Sequence, residues 1–143
     1  MKKVLIAAAS AALLTGCAIT TEGTLTEPLQ EKPDTVCIIN NPAVAIGKVN
    51  TILQQSLQAR GVKSVVCATL DDCKSPWHMA YVLTRRWDMV PYLAGGHMEL
   101  YKDGTRVSAV DFSGGWGFNF AKWGHSREKI DGMVGALLGE QVN

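Results

Sequence analysis

Six side chains in this sequence could together support acid–base catalysis or bind a metal ion. They are His78, His97, His125, Asp88, Glu99 and Asp111. Either chemistry requires several of them to converge in space, and no pair has the HExxH spacing that places two ligands on one helix face. We therefore expect surface or hydrogen-bonded histidines and predict no catalytic residue, metal ligand or cofactor. The alternative, a small cell-wall hydrolase or metal-dependent enzyme, requires His97 or His125 beside an acid in a cleft, with a shifted pKa.

Cys17 ends a segment that has the form of a bacterial lipoprotein signal. Lys2 and Lys3 precede an uncharged apolar run, residues 4–14, that is well short of the ~20 residues needed to cross a bilayer. Leu14-Thr15-Gly16-Cys17 resembles the lipobox, whose cysteine receives a diacylglycerol and is acylated on its amine after cleavage. The sequence thus predicts a signal peptide over residues 1–16 and a lipid anchor on Cys17. A plain secretory signal cut near the same place is the alternative.

The predicted anchor implies a location in the cell envelope. Each buried acyl methylene contributes about 0.8 kcal/mol, so two or three palmitate-like chains would hold the protein on a membrane. In Gram-negative sorting, Asp after the lipidated cysteine retains a protein at the inner membrane. By resemblance to that rule, Ala18 implies the periplasmic face of the outer membrane.

Length and charge limit the number of domains and the class of partner. Removing residues 1–16 leaves 127 of the 143 residues, enough for one domain with a core. The formal net charge falls from +1 to −1, because the signal contains two lysines and no acid. Without a basic excess, nucleic acid is not expected as a partner.

Three cysteines remain after lipidation: Cys37, Cys67 and Cys73. An exported protein meets an oxidising environment, so we expect one disulfide and one free thiol. Cys67–Cys73 and Cys37–Cys73 both remain possible, with Cys73 as the shared member because it lies in a polar loop. Cys67 and Cys73 lack the spacing of a zinc knuckle.

The first half of the mature chain predicts a tether and a βαβ unit. Residues 18–34 are rich in Thr, Glu and Pro and are expected to be flexible, and the domain is expected to span residues 35–143. A strand at 36–39 is followed by a helix that Asn41 should cap and Gly61 should end. Apolar residues recur within it at helical spacing, and residues 62–66 form the next strand, parallel to the first.

The second half predicts three strands and a helix. Residues 77–86 alternate as a strand, and residues 87–93 are expected to form a turn or a short helical piece because Pro91 opposes a strand interior. Asp103-Gly104 predicts a hairpin that pairs Tyr101 with Arg106, then Leu100 with Val107 and Glu99 with Ser108. Ser126 should cap the final helix.

The resulting order is β-α-β-β-β-β-α. Two helices cannot readily cover both faces of about five strands, so we expect an α+β two-layer sandwich with a mixed sheet and both helices on one face. The other face would be partly open, with Glu99, Tyr101 and Arg106 as candidates for binding a partner.

A glycine-rich aromatic stretch at residues 114–120 precedes the last helix. It lacks the Gly-Lys-Ser/Thr ending of a phosphate-binding loop. We expect an irregular loop whose aromatic side chains close one end of the core. The alternative is an exposed loop whose Trp116 and Phe118 contact a glycan, a lipid or an envelope protein.

The chain resembles a family of small proteobacterial lipoproteins of the Sbal type. The resemblance rests on the stretch from Val36 to Pro42, the Cys73 loop before the Tyr81 strand, Trp87-Asp88 with Pro91-Tyr92-Leu93, and Lys122-Trp123. That family has no assigned activity, so the resemblance implies a location and no catalytic residues.

These observations favour a non-enzymatic binding or interaction module anchored to the outer membrane, with an envelope protein or a glycan as partner. Besides the hydrolase alternative, a carrier of lipids or other hydrophobic ligands would need an apolar cavity beneath the Trp116 loop. No catalytic motif such as GxSxG supports a reaction.

Overall fold

The computed structural model describes residues 19–21, 29–113 and 126–140. The elements in chain order are β1 (Ile19–Thr21), β2 (Thr35–Ile39), α1 (Val49–Ala59), β3 (Lys63–Cys67), a 3₁₀ turn (Leu70–Asp72), β4 (Trp77–Asp88), β5 (Val90–Lys102), β6 (Thr105–Ser113) and α2 (Ser126–Leu137). The predicted order β-α-β-β-β-β-α is confirmed from β2 to α2, and the fold is α+β as expected.

The strands form one mixed sheet in the order β1-β6-β5-β4-β2-β3. β2 is parallel to both β3 and β4, so the expected parallel strand–helix–strand unit is present. The remaining pairs are antiparallel. β1, in the segment expected as a tether, pairs with β6 and adds a short sixth strand. Leu29 packs against the core, so the folded part begins before Thr35.

Both helices cover the same face of the sheet, as predicted. α1 packs on β3 and α2, and α2 packs on β5 and β6. Between the layers lies a core whose sheet side includes Ile38, Met79, Leu83, Met98 and Leu100, each at most 5% exposed. Within the described ranges, neither helix is long and apolar enough to cross a bilayer.

The helix start predicted at Asn41 and Pro42 is wrong, because α1 begins at Val49. The Asn41 side chain caps a local turn instead, accepting the backbone N–H of Ala43 at 3.0 Å, and its amide donates to the Tyr81 carbonyl at 2.9 Å. Tertiary bonding to β4 therefore overrides the helix-capping preference. The predicted end is right, since Gly61 has φ +73°. The backbone N–H of Gly61 donates to the Gln58 carbonyl and that of Val62 donates to the Leu57 carbonyl, which closes the helix.

The reversal predicted within residues 87–93 is present, but the expectation that Pro91 would keep this segment out of a strand is wrong. β4 and β5 continue through this segment and reverse at Met89, which has φ +61°. Pro91 lies beside the reversal and pairs with Trp87 of β4. The described pairing of β5 with β6 ends at Gly95, so in the described structure no β6 residue needs a backbone N–H from Pro91. Residues 85–93 therefore form a two-stranded extension of the sheet, which we call the ribbon.

The Asp103-Gly104 hairpin is present, with its predicted register only near the turn. Lys102 pairs with Thr105 and Tyr101 with Arg106, as expected. A bulge then shifts the register, so Leu100 pairs with Ser108 rather than Val107, and Glu99 pairs with Ala109. Ser108, expected on the open face, is buried instead and its hydroxyl donates to the Leu137 carbonyl of α2 at 2.6 Å.

The disulfide joins Cys37 to Cys73, and Cys67 is a buried free thiol. The expectation of one disulfide with Cys73 as the shared member is confirmed. Cys37 lies on β2 next to His78 of β4, so the bridge fastens the loop after the 3₁₀ turn to the middle of the sheet.

Candidate functional site

The sheet face opposite the helices carries a joined group of polar side chains, and we call it the open face. Alternation along β5 places His97, Glu99 and Tyr101 on this face, because their neighbours Met98 and Leu100 are buried under the helices. Antiparallel pairing brings Asp111 of β6 opposite His97 and Arg106 opposite Tyr101. Side chains from two neighbouring strands thus meet on one surface.

His97 lies between two carboxylates. Its Nδ1 is 2.6 Å from Asp111 Oδ1, and its Nε2 is 3.0 Å from Glu99 Oε1. A carboxylate can only accept, so both ring nitrogens must donate, which requires the doubly protonated imidazolium. The hydrogen bond to Glu99, followed by that to Asp111, raises the pKa of His97 above its ordinary 6.5, although partial burial opposes the rise.

Glu99 is the centre of the group. Its carboxylate accepts hydrogen bonds from the His97 ring, from the Tyr101 hydroxyl at 2.5 Å and from the Arg106 guanidinium at 3.1 Å. These donors favour the ionised carboxylate, and the bonds from His97 and Tyr101 lower the pKa of Glu99 to about 2. The same bond raises the pKa of Tyr101, because ionising its hydroxyl would place two negative charges side by side.

An aromatic stack extends the group onto β4. The His78 and Tyr101 rings lie parallel, with centroids 4.7 Å apart and an interplanar angle of 2°. Desolvation lowers the pKa of His78, which favours the neutral ring. The pKa values of His78 and His97 are therefore shifted in opposite directions, although both rings lie on the open face.

The arrangement has a direct chemical consequence. A general base or a metal ligand needs a lone pair on an imidazole nitrogen, and both nitrogens of His97 are committed to carboxylates. No cluster of three or more histidine, cysteine or acidic side chains within the described ranges has a geometry that could hold a metal ion. What the group can do is present fixed positive and negative atoms to a complementary surface.

A cleft of about 280 Å³ adjoins the open face where β2 ends. His97 and Glu99 form one wall, and Asn40, Asn41 and Pro42 form the other. Tyr81 reaches this place from β4, donating its hydroxyl to Asn50 at 2.8 Å. The hydrolase alternative required His97 beside an acid in a cleft, and the structure shows this arrangement.

A second charged cluster joins the two helices and is structural. Arg60, at the end of α1, contacts Asp131 of α2 at 2.7 Å and Glu140 at 2.9 Å, and also binds Ser56. Its hydrogen bonds raise the pKa of Arg60 and lower that of Asp131. The guanidinium crosses directly above Gly135, so this glycine admits Arg60 to the helix surface.

The predicted partner-binding residues have different outcomes. The structure brings Glu99, Tyr101 and Arg106 together on one face, as the hairpin pattern indicated. Trp116, Phe118, His125 and the lipidation candidate Cys17 lie outside the described residues. His97 and Asp111 belong to the group although the sequence did not place them there, because the bulge after Leu100 decides which β6 residues face outward. The role of Asn40 and Asn41 in the cleft was also missed.

Comparison with known proteins identifies a fold and no family. No protein-family profile matches the chain, and no curated protein matches its sequence. Among solved structures, the chain is similar to the PelC dodecamer from Paraburkholderia phytofirmans, with 13% identity, a TM-score of 0.56, and coverage of 87% of this chain and 98% of that one. A dodecamer of a PelC point variant from the same organism gives 12% identity, a TM-score of 0.55 and coverage of 86% and 98%. This chain therefore shares the fold of PelC over nearly all of that protein.

Proposed function

We propose that this protein is a non-enzymatic interaction module of the bacterial envelope, fixed to the outer membrane by a lipid on Cys17. It works as an assembly of identical copies and binds an envelope protein through the open face. The resemblance to the Sbal-type lipoproteins belongs to the same proposal, since it implies this location.

The single observation that carries the binding role is the saturation of Glu99 and His97 by one another and by their neighbours. Glu99 accepts from three different side chains, and His97 uses both nitrogens. Such a network holds its charges in fixed positions before any partner arrives, which reduces the ordering cost of binding. It offers no free base for a reaction.

The assembly part is supported by the comparison. The similar structure is described as a dodecamer, and the likeness in fold spans 98% of its chain. The sheet face that neither described helix covers has surface available for contacts with copies of this chain and with other proteins.

The location part is supported by the sequence. Lys2, Lys3, the apolar run and the Gly16-Cys17 ending together match the requirements for lipidation, and Ala18 matches outer-membrane sorting. Labelling cells with a palmitate analogue tests it: the full chain should be labelled, and Cys17→Ser should lose the label and leave the membrane fraction.

Site-specific crosslinking tests the open face. A photo-reactive residue replaces Val82 or Thr84, exposed on the open face beside the network, in the full-length protein in cells, and a matched control carries it at Glu128, exposed on the helical layer. We expect both open-face positions to capture the same envelope protein and position 128 not to capture it. Equal yields from all three positions would contradict the binding role.

A hydrolytic role is the second candidate, favoured specifically by the cleft beside His97 and Glu99. It requires the imidazolium to release a proton when substrate displaces one carboxylate. Incubating the purified full chain with peptidoglycan, alongside His97→Gln, distinguishes the two proposals: release of soluble fragments that depends on His97 would favour the enzyme.

A further inference from the structure

Large apolar side chains are exposed on two separate surfaces of the described chain. The ribbon exposes Trp87 (75%) and Met89 (81%). The outer edge of the sheet exposes Val65 (52%), Val66 and Leu70 (52%). Apart from Val82 on the open face, the other large apolar side chains described are at least partly covered. Side chains of this size concentrated at two places mark contact surfaces.

Within the described ranges, no third strand lies beside the ribbon. β2 pairs with β4 only as far as Met79, and the described pairing of β6 with β5 ends at Gly95. Residues 85–93 therefore pair only with one another within the described ranges. Leu93 is buried in the core and anchors the base of the ribbon. The tip of the ribbon exposes the Trp87 indole, which is suited to packing against another surface.

The second surface, which we call the β3 edge surface, consists of Val66 on β3 with Leu70 and Asp71 beyond the end of that strand. β3 is the last strand of the sheet, so its outer backbone groups have no strand partner in the described chain. A groove of about 440 Å³ runs beside it, between α1 and β3, with Gln54, Gln58 and Ser64 among its lining. Exposed apolar edge strands are association sites unless something covers them.

The formal net charges of the two surfaces are opposite, since the ribbon contains Arg85, Arg86 and Asp88 and the residues after Leu70 are both acidic. Arg85 lies on the ribbon two residues from Trp87 and also contacts the Ala45 carbonyl of its own chain at 3.3 Å. Asp71 and Asp72 directly follow Leu70. Two different surfaces on one molecule that match in apolar content and oppose in charge fit a head-to-tail contact between identical copies.

We propose that the ribbon of one copy packs on the β3 edge surface of the next copy, with Trp87 against Leu70 and Val66 and with Arg85 near Asp71. The inference rests on the proposed self-assembly and names the surfaces that produce it. Because the two surfaces differ, each copy uses one of each, and such a contact closes into a ring when the rotation per copy is a simple fraction of a turn.

Mixed cysteine crosslinking tests this contact in the full-length lipoprotein, extracted in mild detergent. Cys67→Ser is the background, since it removes the buried free thiol and leaves the Cys37–Cys73 bridge. Trp87→Cys and Leu70→Cys are made separately. We expect a dimer band after oxidation only when the two proteins are mixed, and a ladder when one chain carries both changes. In the control, Thr105→Cys is mixed with Trp87→Cys in place of Leu70→Cys, and no dimer band is expected. Thr105 is the exposed first residue of β6.

The mass of the extracted wild-type protein distinguishes a failure of the proposed self-assembly from a failure of the proposed contact alone. A monomer by light scattering and native mass spectrometry would overturn both the self-assembly and this contact. An oligomer that gives no mixed crosslink would overturn only the contact, as would crosslinking of Trp87→Cys to itself. A monomer that binds anionic phospholipid vesicles through Trp87 would assign the ribbon to a membrane and overturn the contact.

Charge reversal gives an independent readout that does not depend on oxidation. Arg85→Glu or Asp71→Arg alone should raise the dissociation constant between copies roughly tenfold, and the double variant should restore most of the loss. Circular dichroism of each variant confirms that the fold is retained. Equal weakening in the double variant would contradict the pairing of Arg85 with Asp71.

Discussion

His97 and Asp111 are directly opposed across the β5–β6 pair, and the imidazole Nδ1 lies 2.6 Å from Asp111 Oδ1. Glu99 holds the other ring nitrogen, so the imidazole bridges a carboxylate on its own strand and a carboxylate on the neighbouring strand. This geometry stabilises the sheet by an amount that depends on the protonation of its members, and it makes the open face sensitive to pH.

Glu99 should contribute to stability at neutral pH and lose that contribution in acid. Its pKa falls from an ordinary 4.5 to about 2, so the contribution is present above 4.5 and is lost as the pH drops from 4.5 to 2. The shift corresponds to about 3 kcal/mol before solvent screening of the partly exposed group. Urea unfolding at pH 7 and pH 3 should show a smaller decrease for Glu99→Gln than for the wild type. Glu128→Gln, outside the network, should behave like the wild type.

His97 should have the opposite dependence. Its pKa is raised above 6.5, so the imidazolium contributes fully below 6.5 and the contribution is lost as the pH rises through the folded-state pKa. An NMR titration of the ring protons should give a His97 pKa above 6.5 and a His78 pKa below it, since desolvation lowers the latter. Glu99→Gln should move the His97 pKa down. A His97 pKa equal to that of a free histidine would contradict the bridge.

Arg60 should be the main polar link between the helices. Arg60→Ala removes the contacts to Asp131, Glu140 and Ser56 and leaves Asp131 without its partner, so we expect a loss of about 1–3 kcal/mol in the free energy of unfolding. Arg60→Lys should restore only part of it, because an ammonium cannot reproduce the guanidinium fork. Guanidinium chloride denaturation at fixed pH measures both variants. Equal stability of all three proteins would show that this cluster is screened by solvent.

Gly96 leaves little room for a methyl group. A Cβ at this position would lie 2.6 Å from Leu83 Cδ2 and 3.1 Å from Met133 Cε, in the packed layer between β5 and α2. Both atoms are the ends of flexible side chains that can shift, so Gly96→Ala should cost about 1 kcal/mol, at the low end for overpacking. Gly47→Ala is the matched control, because nothing lies within 4 Å of its added Cβ. Thermal unfolding followed by circular dichroism should show a lower melting temperature only for Gly96→Ala.

The Cys37–Cys73 bridge should contribute about 4 kcal/mol in the chain-entropy treatment, since it joins residues 36 apart. Replacing both cysteines by serine should lower the melting temperature, whereas Cys67→Ser should lower it much less. In the native protein, a thiol reagent should label Cys67 slowly, because this side chain is buried. Rapid labelling of two or three thiols in non-reducing buffer would contradict the pairing.

The layer arrangement could be predicted because it follows from short-range patterns. The apolar spacing of α1 and the alternation along β5 each identify one buried face, and Gly61 ends the helix where its conformational freedom is needed. Counting two helices against five strands was then enough to expect one covered face and one open face.

Register and helix start depended on tertiary contacts and could not be predicted in the same way. The bulge between Leu100 and Tyr101 exchanges the faces of Ser108 and Ala109, and nothing in the hairpin sequence requires it. Asn41 has the side chain of a helix cap, but it bonds to Tyr81, 40 residues away. Two long strands could likewise continue through Pro91 because that residue lies beside the reversal, beyond the last pair of β5 and β6 that the structure describes.

The candidate site could be predicted only in part. Glu99, Tyr101 and Arg106 are close to the Asp103-Gly104 turn, where the register is fixed by the turn itself. His97 and Asp111 lie beyond the bulge, so the bridge that gives the group its pH dependence could be identified only from coordinates.

If Cys17 carries the proposed lipid, the pairing of β1 with β6 determines how near the bilayer the domain lies. Position 17 precedes Ile19 by two residues, and two residues of extended chain reach about 7 Å. If fatty acids on that cysteine enter the leaflet while the short strand stays paired, the β6 side of the sheet sits almost against the headgroups. The lipid would then hold the domain at the bilayer surface. The distance between the domain and the membrane would increase only when residues 19–21 separate from β6.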